Sequence, residues 1–339
     1  MSIWGMGIMI GPILGPILGG WLTESVNWRW VFYVNLPVGL LTLAMMWALL
    51  PATRRRDRRF DLFGFSMLAL GLSALQLMLD RGAHLDWFDS REIWIEMAVA
   101  IACLWMFVVH LCTSRDTLFN RQMMADRNLV TAMGFMVVIG IVMFASMALL
   151  PPMLQNLFGW PVIDTGWVLA VRGIGILMSM WVAGQLLGKV DARWMVGSGL
   201  TIAALSLWQM SHWSLEMGMR PVIVSGLVQG IGMGLVFIPL NTMAFATIPP
   251  QYRTDGSSLL NLLRSIGASV GISVVTTLLG ANIQRSHEDL VSHVTNSSTS
   301  MLDASTADRF GIVGDTAMAM VNAEINRQAA MVAYIDDFW

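Results

Sequence analysis

Arg172, Gln229, Asn241 and Arg264 are the residues of this chain placed to do chemistry, because each lies inside a long apolar run. An ionisable or amide side chain at bilayer depth is costly unless it meets a partner or a cavity. The chemistry open to these four is non-covalent: a guanidinium can fork onto a carboxylate or phosphate, and an amide can donate and accept. Arg172 falls about eight residues into its run, roughly 12 Å at 1.5 Å per residue, with Gly173 and Gly175 beside it to admit a neighbouring helix. It is expected to face a bundle interior, or else to pair with a helix-end carbonyl or snorkel to the interface. Arg264 sits a few residues from the edge of its run, where the interface is the simpler expectation. Gln229 lies within Gly226–Gly234 and Asn241 follows Pro239, so one helix combines amides, glycines and a kink. It could line a path or hydrogen-bond to another helix. Nowhere at this depth do Asp, Glu, His or a nucleophile with its base cluster, so no catalytic residues are assigned and no enzyme is expected.

A second constellation has a packing role. The run Gly11-Pro12-Ile13-Leu14-Gly15-Pro16-Ile17-Leu18-Gly19-Gly20 places glycines at 7, 11, 15 and 19. Spaced by four, they stay near one helix face and should let another backbone approach. Prolines at 12 and 16 would break a soluble helix, whereas in a membrane bundle neighbouring helices absorb the lost hydrogen bonds.

These residues need helices in a bilayer to hold them. With 56% hydrophobic and 12% charged residues and a mean hydropathy of +0.64, the chain is expected to be an all-α, polytopic membrane helix bundle. At about 20 apolar residues per crossing, spans are expected near 2–22, 31–50, 62–79, 93–112, 129–150, 164–187, 194–210, 221–243 and 262–281. A tenth opens at Ala329 and is unfinished at Trp339. Arginines and lysines fall in alternate loops, eleven against four. That asymmetry marks the loops with Arg54–Arg59, Arg115–Arg127, Lys189–Arg193 and Arg253 as cytoplasmic, puts Met1 at the same face and supports the span count. The arginine run at 54–59 is read as topological, with no nucleic-acid partner. Residues 282–328 form a long polar external loop, rich in Ser, Thr and Asp. His287 and His293, six apart and without a nearby cysteine, give no metal site. Cys103 and Cys112, nine apart in one span, lie roughly 13 Å apart along a helix axis, too far for a disulfide. Trp21, Trp28, Trp30, Trp87, Trp160 and Trp213 sit near span ends as an interfacial belt. Met133, Met136, Met143 and Met147 on one helix could form a plastic apolar wall.

Taken together, Gly-Pro-x-Leu-Gly-Pro-x-x-Gly-Gly and the following Asn27-Trp28-Arg29-Trp30-Val31-Phe32-Tyr33-Val34-Asn35-Leu36-Pro37-Val38-Gly39 resemble spans five and six of major facilitator drug:proton antiporters of the 14-span EmrB/QacA type. In that family the glycine-proline run is the antiporter motif, which here covers Gly11, Pro12, Gly15, Pro16, Gly19 and Gly20. Ala183-Gly184-Gln185-Leu186-Leu187-Gly188-Lys189-Val190-Asp191-Ala192-Arg193 is similar to the second-half copy of the superfamily's cytoplasmic loop motif, carried by Gly184, Asp191 and Arg193. Gly188 stands where that motif often has an aspartate. Arg172-Gly173, Pro239-Leu240-Asn241 and Asn261–Gly271 also resemble the family's second half, and two helices between 62 and 112 fit the 14-span type.

The resemblance implies a partial major facilitator fold. Residues 1–53 would be the last two helices of the N-terminal six-helix domain, 54–61 a basic cytoplasmic loop, 62–128 a two-helix insert and linker, and 129–339 the C-terminal six-helix domain. The chain would then lack the first four spans, where the family's proton-coupling residues are expected. The implied activity is export of drugs or other amphipathic small molecules by alternating access, driven by the proton gradient without a cofactor, from the bacterial inner membrane. The glycine-proline helix would supply dry packing between the halves. Some members work with a periplasmic adaptor and an outer-membrane channel, so those join the lipid bilayer, protons and substrates as implied partners. An exporter of one metabolite on the same fold and a non-transporting membrane fragment are the alternatives.

Overall fold

The computed structural model describes residues 2–49, 60–82, 85–114, 117–293 and 315–339. The basic run at 54–59 and residues 294–314 of the expected loop lie outside them, as do the side chains of Pro12 and Pro16. Among the described residues the long elements are all helices: α1 (Ser2–Ser25), α2 (Trp30–Tyr33), α3 (Asn35–Leu49), α4 (Leu62–Gly82), α5 (Arg91–Thr113), α6 (Arg121–Met124), α7 (Arg127–Pro152), α8 (Val162–Leu186), α9 (Ala192–Met210), α10 (Met219–Ala244), α11 (Arg253–His293) and α12 (Asp315–Phe338). This is an all-α membrane helix bundle. Hydrocarbon offers the backbone no water, so each segment must satisfy its amides internally.

Seven described segments are long and apolar enough to cross a bilayer: Trp30–Leu49, Leu62–Gly82, Arg91–Thr113, Arg127–Leu157, Val162–Leu186, Met219–Ala244 and Pro250–His293. Each overlaps one of the nine expected spans. The other two expected spans correspond to α1 and α9; in α9, Arg193, Ser198, Thr201, Ser206 and Gln209 dilute the apolar content. Trp30–Leu49 is interrupted at Val34. Pro37 has no amide to give the Tyr33 carbonyl four residues back, which explains the break.

Two boundaries differ from expectation. α11 runs 41 residues, about 60 Å at the α-helical rise, roughly twice the hydrocarbon thickness. Residues 282–293 are therefore a helical extension of α11, and α12 begins at Asp315 well before the expected Ala329. From Ala281 to His293 there is neither glycine nor proline to stop the helix. Asn282 Nδ2 donates to Asp337 Oδ1 at 3.1 Å, tying α11 to α12. Trp213, expected in an interfacial belt, is 6% exposed, because it packs edge-on against Phe338 of α12.

The core is built by glycine-mediated approach. α8 and α10 pack closely, as do α7 with α11, α9 with α10 and α1 with α8. A Cβ on Gly199 would lie 2.6 Å from the Gly232 carbonyl, and one on Gly232 would lie 2.6 Å from the Gly199 carbonyl, so α9 and α10 touch backbone to backbone. Met136, Met143, Met180, Val236 and Leu260 fill the main core cluster. Met136 and Met143 are thus core residues, 2% and 6% exposed. A second cluster, at the end away from the arginine-rich loops, joins Leu149, Leu154, Met210 and Trp213 to Met331 and Phe338.

The glycine stripe of α1 behaves differently from its expectation. Nothing described lies within 4 Å of a Cβ built on Gly11, Gly15 or Gly19. α1 meets α8 through another face: Ile17 packs on the core, a Cβ on Gly20 would lie 3.0 Å from the Val162 carbonyl, and Glu24 Oε1 accepts from the Ile163 amide at 3.1 Å. Positions 17, 20 and 24 share a stripe roughly opposite 11, 15 and 19, since each residue turns about 100°. Gly11, Gly15 and Gly19 share one face, and the contact of α1 with α8 lies on the other. Gly20→Val should therefore part α1 from α8, while Gly15→Val should not. Disulfide cross-linking of cysteines placed at Ile17 and on the facing turn of α8 checks this: the yield should fall severalfold for Gly20→Val alone, and an equal fall for Gly15→Val would contradict the assignment.

Candidate functional site

Arg172 and Gln229 come together in the middle of the bundle. Each lies ten residues from the start of its helix, α8 or α10, about 15 Å deep at the α-helical rise. Both reach one turn of α7. Arg172 Nη2 donates to the Met143 carbonyl at 3.1 Å. Ser146 Oγ donates to the Val142 and Met143 carbonyls at 2.8 and 3.2 Å, and Gln229 Nε2 donates to Ser146 Oγ at 3.3 Å. A guanidinium from α8 and an amide from α10 thus converge on the Val142–Ser146 turn of α7.

Close approach of α8 and α10 makes this possible. The Arg172 carbonyl stands where a Cβ of Gly230 would be, and Gly226 leaves ordinary contact distance, 3.7 Å, to Arg172 Cβ. With no side chain at 226 or 230, the arginine stem lies flat against α10. Arg172 is 6% exposed and Gln229 0%. Two strong groups are left over: Arg172 Nη1 and Gln229 Oε1 have no hydrogen-bond partner among the described residues, and no described carboxylate pairs with Arg172. An unpaired buried cation costs several kcal/mol.

α7 is interrupted just beyond it. Pro151 and Pro152 lie inside its last turn, five and six residues past Ser146, and Met153–Leu157 continues as a π-helix. The prolines have no amide for the carbonyls of Met147 and Ala148, and single-turn π-segments commonly mark functional positions.

The other expected residues do not join the corner. Asn241 Nδ2 donates to the Phe237 carbonyl of its own helix at 2.8 Å, bracing the backbone around Pro239. Arg264 lies eleven residues along α11, which starts at Arg253, ahead of the expected apolar run. Its Nη2 donates to Asn261 Oδ1 at 3.2 Å, and its carbonyl packs on Gly140 of α7. Asp191 caps α9 by accepting from the Arg193 amide at 3.0 Å. Gly184 lies in the last turn of α8, and Gly188 has φ +93°, a conformation an aspartate there would adopt only with strain. At the end of α4, Asp80 accepts from Gln76 at 2.8 Å, and its neighbour Arg81 bridges to Glu92 at 3.1 Å and Glu96 at 3.6 Å on α5.

Matched against protein families, residues 1–272 fit the Major Facilitator Superfamily. The chain belongs to that superfamily. Among relatives of this major facilitator chain, it is 29% identical to the multidrug export protein EmrB of Haemophilus influenzae, with 100% of the chain and 67% of that protein aligned. It is 28% identical to EmrB of Escherichia coli over the same shares. The fatty acid resistance protein FarB of Neisseria gonorrhoeae is 30% identical over 98% of the chain and 66% of its own length. The chain thus spans about two thirds of these relatives. It is a multi-pass membrane protein of a transporter family, similar along its length to EmrB-type exporters.

One polar centre escaped the sequence reading. Asp61, just before α4, accepts from both the Gly64 and Leu118 amides at 2.8 and 3.1 Å, and both its oxygens lie 3.0 Å from His110 Nε2 at the end of α5. The signal was present: an aspartate directly before an apolar run is a helix cap. Nearby, Asp126 caps α7 through the Leu129 amide at 3.0 Å and accepts from Thr247 Oγ1 at 2.6 Å. Burial pushes the Asp61 carboxyl up, but the Gly64 and Leu118 amides and the His110 ring outweigh it and hold it below the usual carboxylate range. For Asp126, the Thr247 hydroxyl and then the Leu129 amide do the same. A depressed carboxyl stabilises the fold fully above the unfolded value near 4 and loses that contribution as pH falls through the folded value. Acidification below about pH 4 should lower the thermal midpoint followed by tryptophan fluorescence. Asp61→Ala should cost about 1–3 kcal/mol at neutral pH by orphaning two amides and make the acid-induced fall shallower. A wild-type midpoint flat from pH 6 to 3 would contradict this.

Proposed function

We propose that this chain is the larger part of a proton-driven exporter of amphipathic small molecules, drugs among them, working in the bacterial cytoplasmic membrane. The observation that carries the reading is similarity over the whole chain to two proteins named multidrug export proteins. In this reading residues 1–53 are the last two helices of the first six-helix domain and 129–339 form the second domain. Residues 62–128 are the two-helix insert between them. The first four family spans lie outside the sequence in hand, and the proton-coupling residues with them.

The residues present have defined tasks. α1 and α8 form a contact between the two halves, on which one half would rock against the other about a midplane site. The Arg172–Gln229 corner supplies polar groups at that midplane, and the break in α7 gives the wall beside it a place to bend. The antiporter motif residues Gly11, Gly15 and Gly19 offer their open face to whatever completes the first half. By the same family resemblance, a periplasmic adaptor and an outer-membrane channel are the partners this reading assigns to the chain.

The test is efflux. Expressed from its full reading frame in a bacterium stripped of its own pumps, the protein should lower ethidium accumulation severalfold against an empty vector, and a protonophore should abolish the difference. Gly230→Leu, which would drive a side chain into the Arg172 carbonyl, should abolish it too at equal membrane abundance. Accumulation equal to the vector control for the wild type would overturn the reading.

A further inference from the structure

Glu24 stands at the wrong end of its own helix. It is the next-to-last residue of α1, whose last turn carries no basic side chain, and a carboxylate there faces the negative end of the helix dipole. Its Oε1 accepts instead from the Ile163 amide of α8, 139 residues away in sequence, at 3.1 Å. That amide belongs to the first turn of α8, where Pro161 stands at the N-cap position and makes no side-chain cap. A capping oxygen ordinarily comes from the N-cap residue itself; here another helix supplies it. A charge that α1 places badly therefore rests on the positive end of α8. The contact lies at the end of the bundle away from the arginine-rich loops, since α8 runs from Val162 towards the loop with Lys189 and Arg193.

We propose that Glu24 is a positioning residue for alternating access: by capping α8 from the opposite half, it holds the external end of the α1–α8 contact shut, and its release accompanies opening to the outside. The inference rests on the reading of α1 and α8 as opposite halves of an exporter. A contact shifts a conformational equilibrium only when its free energy differs between the two states. Glu24 meets that condition. Docked, its carboxylate has the Ile163 amide and the α8 dipole; parted, it keeps only the C-terminal end of α1. Asp164 does not meet it, because it lies in the first turn of α8 itself and stays there in both states. Gly20 packs one turn earlier, a built Cβ lying 3.0 Å from the Val162 carbonyl and 3.2 Å from Ile163 Cα. Shape thus sets where the helices meet, and the carboxylate adds a preference for meeting. Glu24 is exposed, and among the described residues no cation pairs with it. A carboxylate on a helix end at an exposed position tilts an equilibrium by about two- to fivefold, a bias that a cycling transporter can reverse.

The experiment uses the protein expressed from its full reading frame, in nanodiscs, with native cysteines replaced by serine. Spin labels go on cysteines at Val26, just past α1, and at Trp167 of α8, 56% and 58% exposed. Pulsed electron paramagnetic resonance gives the fraction of molecules in which the two helices have parted, and Gly20→Val, which parts them by bulk, supplies the parted distance. Glu24→Gln keeps an acceptor oxygen without the charge and should raise the parted fraction about two- to fivefold. Glu24→Asp should return it part of the way, because the carboxylate is restored on a shorter stem. Asp164→Asn removes a carboxylate equally close to the start of α8 and should leave the fraction unchanged. Size-exclusion profile and thermal midpoint certify that each variant is folded, and the aspartate variant carries the test if the glutamine one is not. Equal parted fractions in wild type and Glu24→Gln, or an equal rise in Asp164→Asn, overturn the role of Glu24. Ethidium efflux by that same wild type would then leave the exporter reading intact, whereas a Glu24-dependent fraction without any efflux would keep the cap and overturn the exporter.

Discussion

The meeting of α8 and α10 at Gly230 is the contact from which the rest of the bundle's middle follows. Because that residue has no side chain, the Arg172 carbonyl occupies the space a Cβ would need, and the two axes come as near as backbones allow. At that separation the Arg172 side chain cannot pass between the helices. It is laid across Gly226 towards α7, where the Met143 carbonyl receives it. Gln229, one residue before Gly230, is turned to the same side and finds Ser146. Without water to hydrate exposed backbone, membrane helices gain little from apolar contact alone and rely on close packing and interhelical hydrogen bonds. Here one glycine supplies the first and positions the second.

The same logic separates what the sequence disclosed from what it concealed. Each of the seven segments apolar enough to cross a bilayer falls on an expected span, since bilayer thickness converts directly into a run of apolar residues. Arg172 and Gln229 were recognisable because their cost at depth demands a partner. Which partner was not recognisable, for it depends on helix rotation, a property that composition does not carry. The glycine stripe of α1 shows this most plainly: its period identified a face, yet its contact with α8 uses Ile17, Gly20 and Glu24 on the opposite side. The helical extension past Asn282 was hidden by polarity. Ser, His, Glu and Asp read as loop, whereas the absence of glycine and proline let the helix continue. Asp61 was overlooked because a single carboxylate beside a basic run looks like solvent-facing charge, and its three partners come from residues 64, 110 and 118.

Both ends of the bundle combine apolar packing with polar ties, and this bears on how it could move. At the end with the arginine-rich loops, Phe107, Phe119, Met123 and Ile248 are buried in the main cluster, and polar ties add to that packing: Asp61 to His110 and Leu118, Asp126 to Thr247, and Asn120 Nδ2 to Tyr252 Oη at 2.9 Å. At the opposite end the second core cluster, from Leu149 and Met153 to Trp213 and Phe338, is almost entirely apolar. Hydrogen bonds at a membrane face exchange readily for bonds to water, with a net value near 1 kcal/mol each. Parting an apolar cluster exposes all of its area at once, at roughly 25 cal/mol per Å². Opening either end therefore costs buried apolar area as well as hydrogen bonds. The break in α7 falls within the second cluster, where Met153 and Leu154 of the π-turn are themselves buried. Bending there can shift the wall of the Arg172 corner while the cluster stays packed, which lets a buried polar site change its exposure without dismantling the core around it.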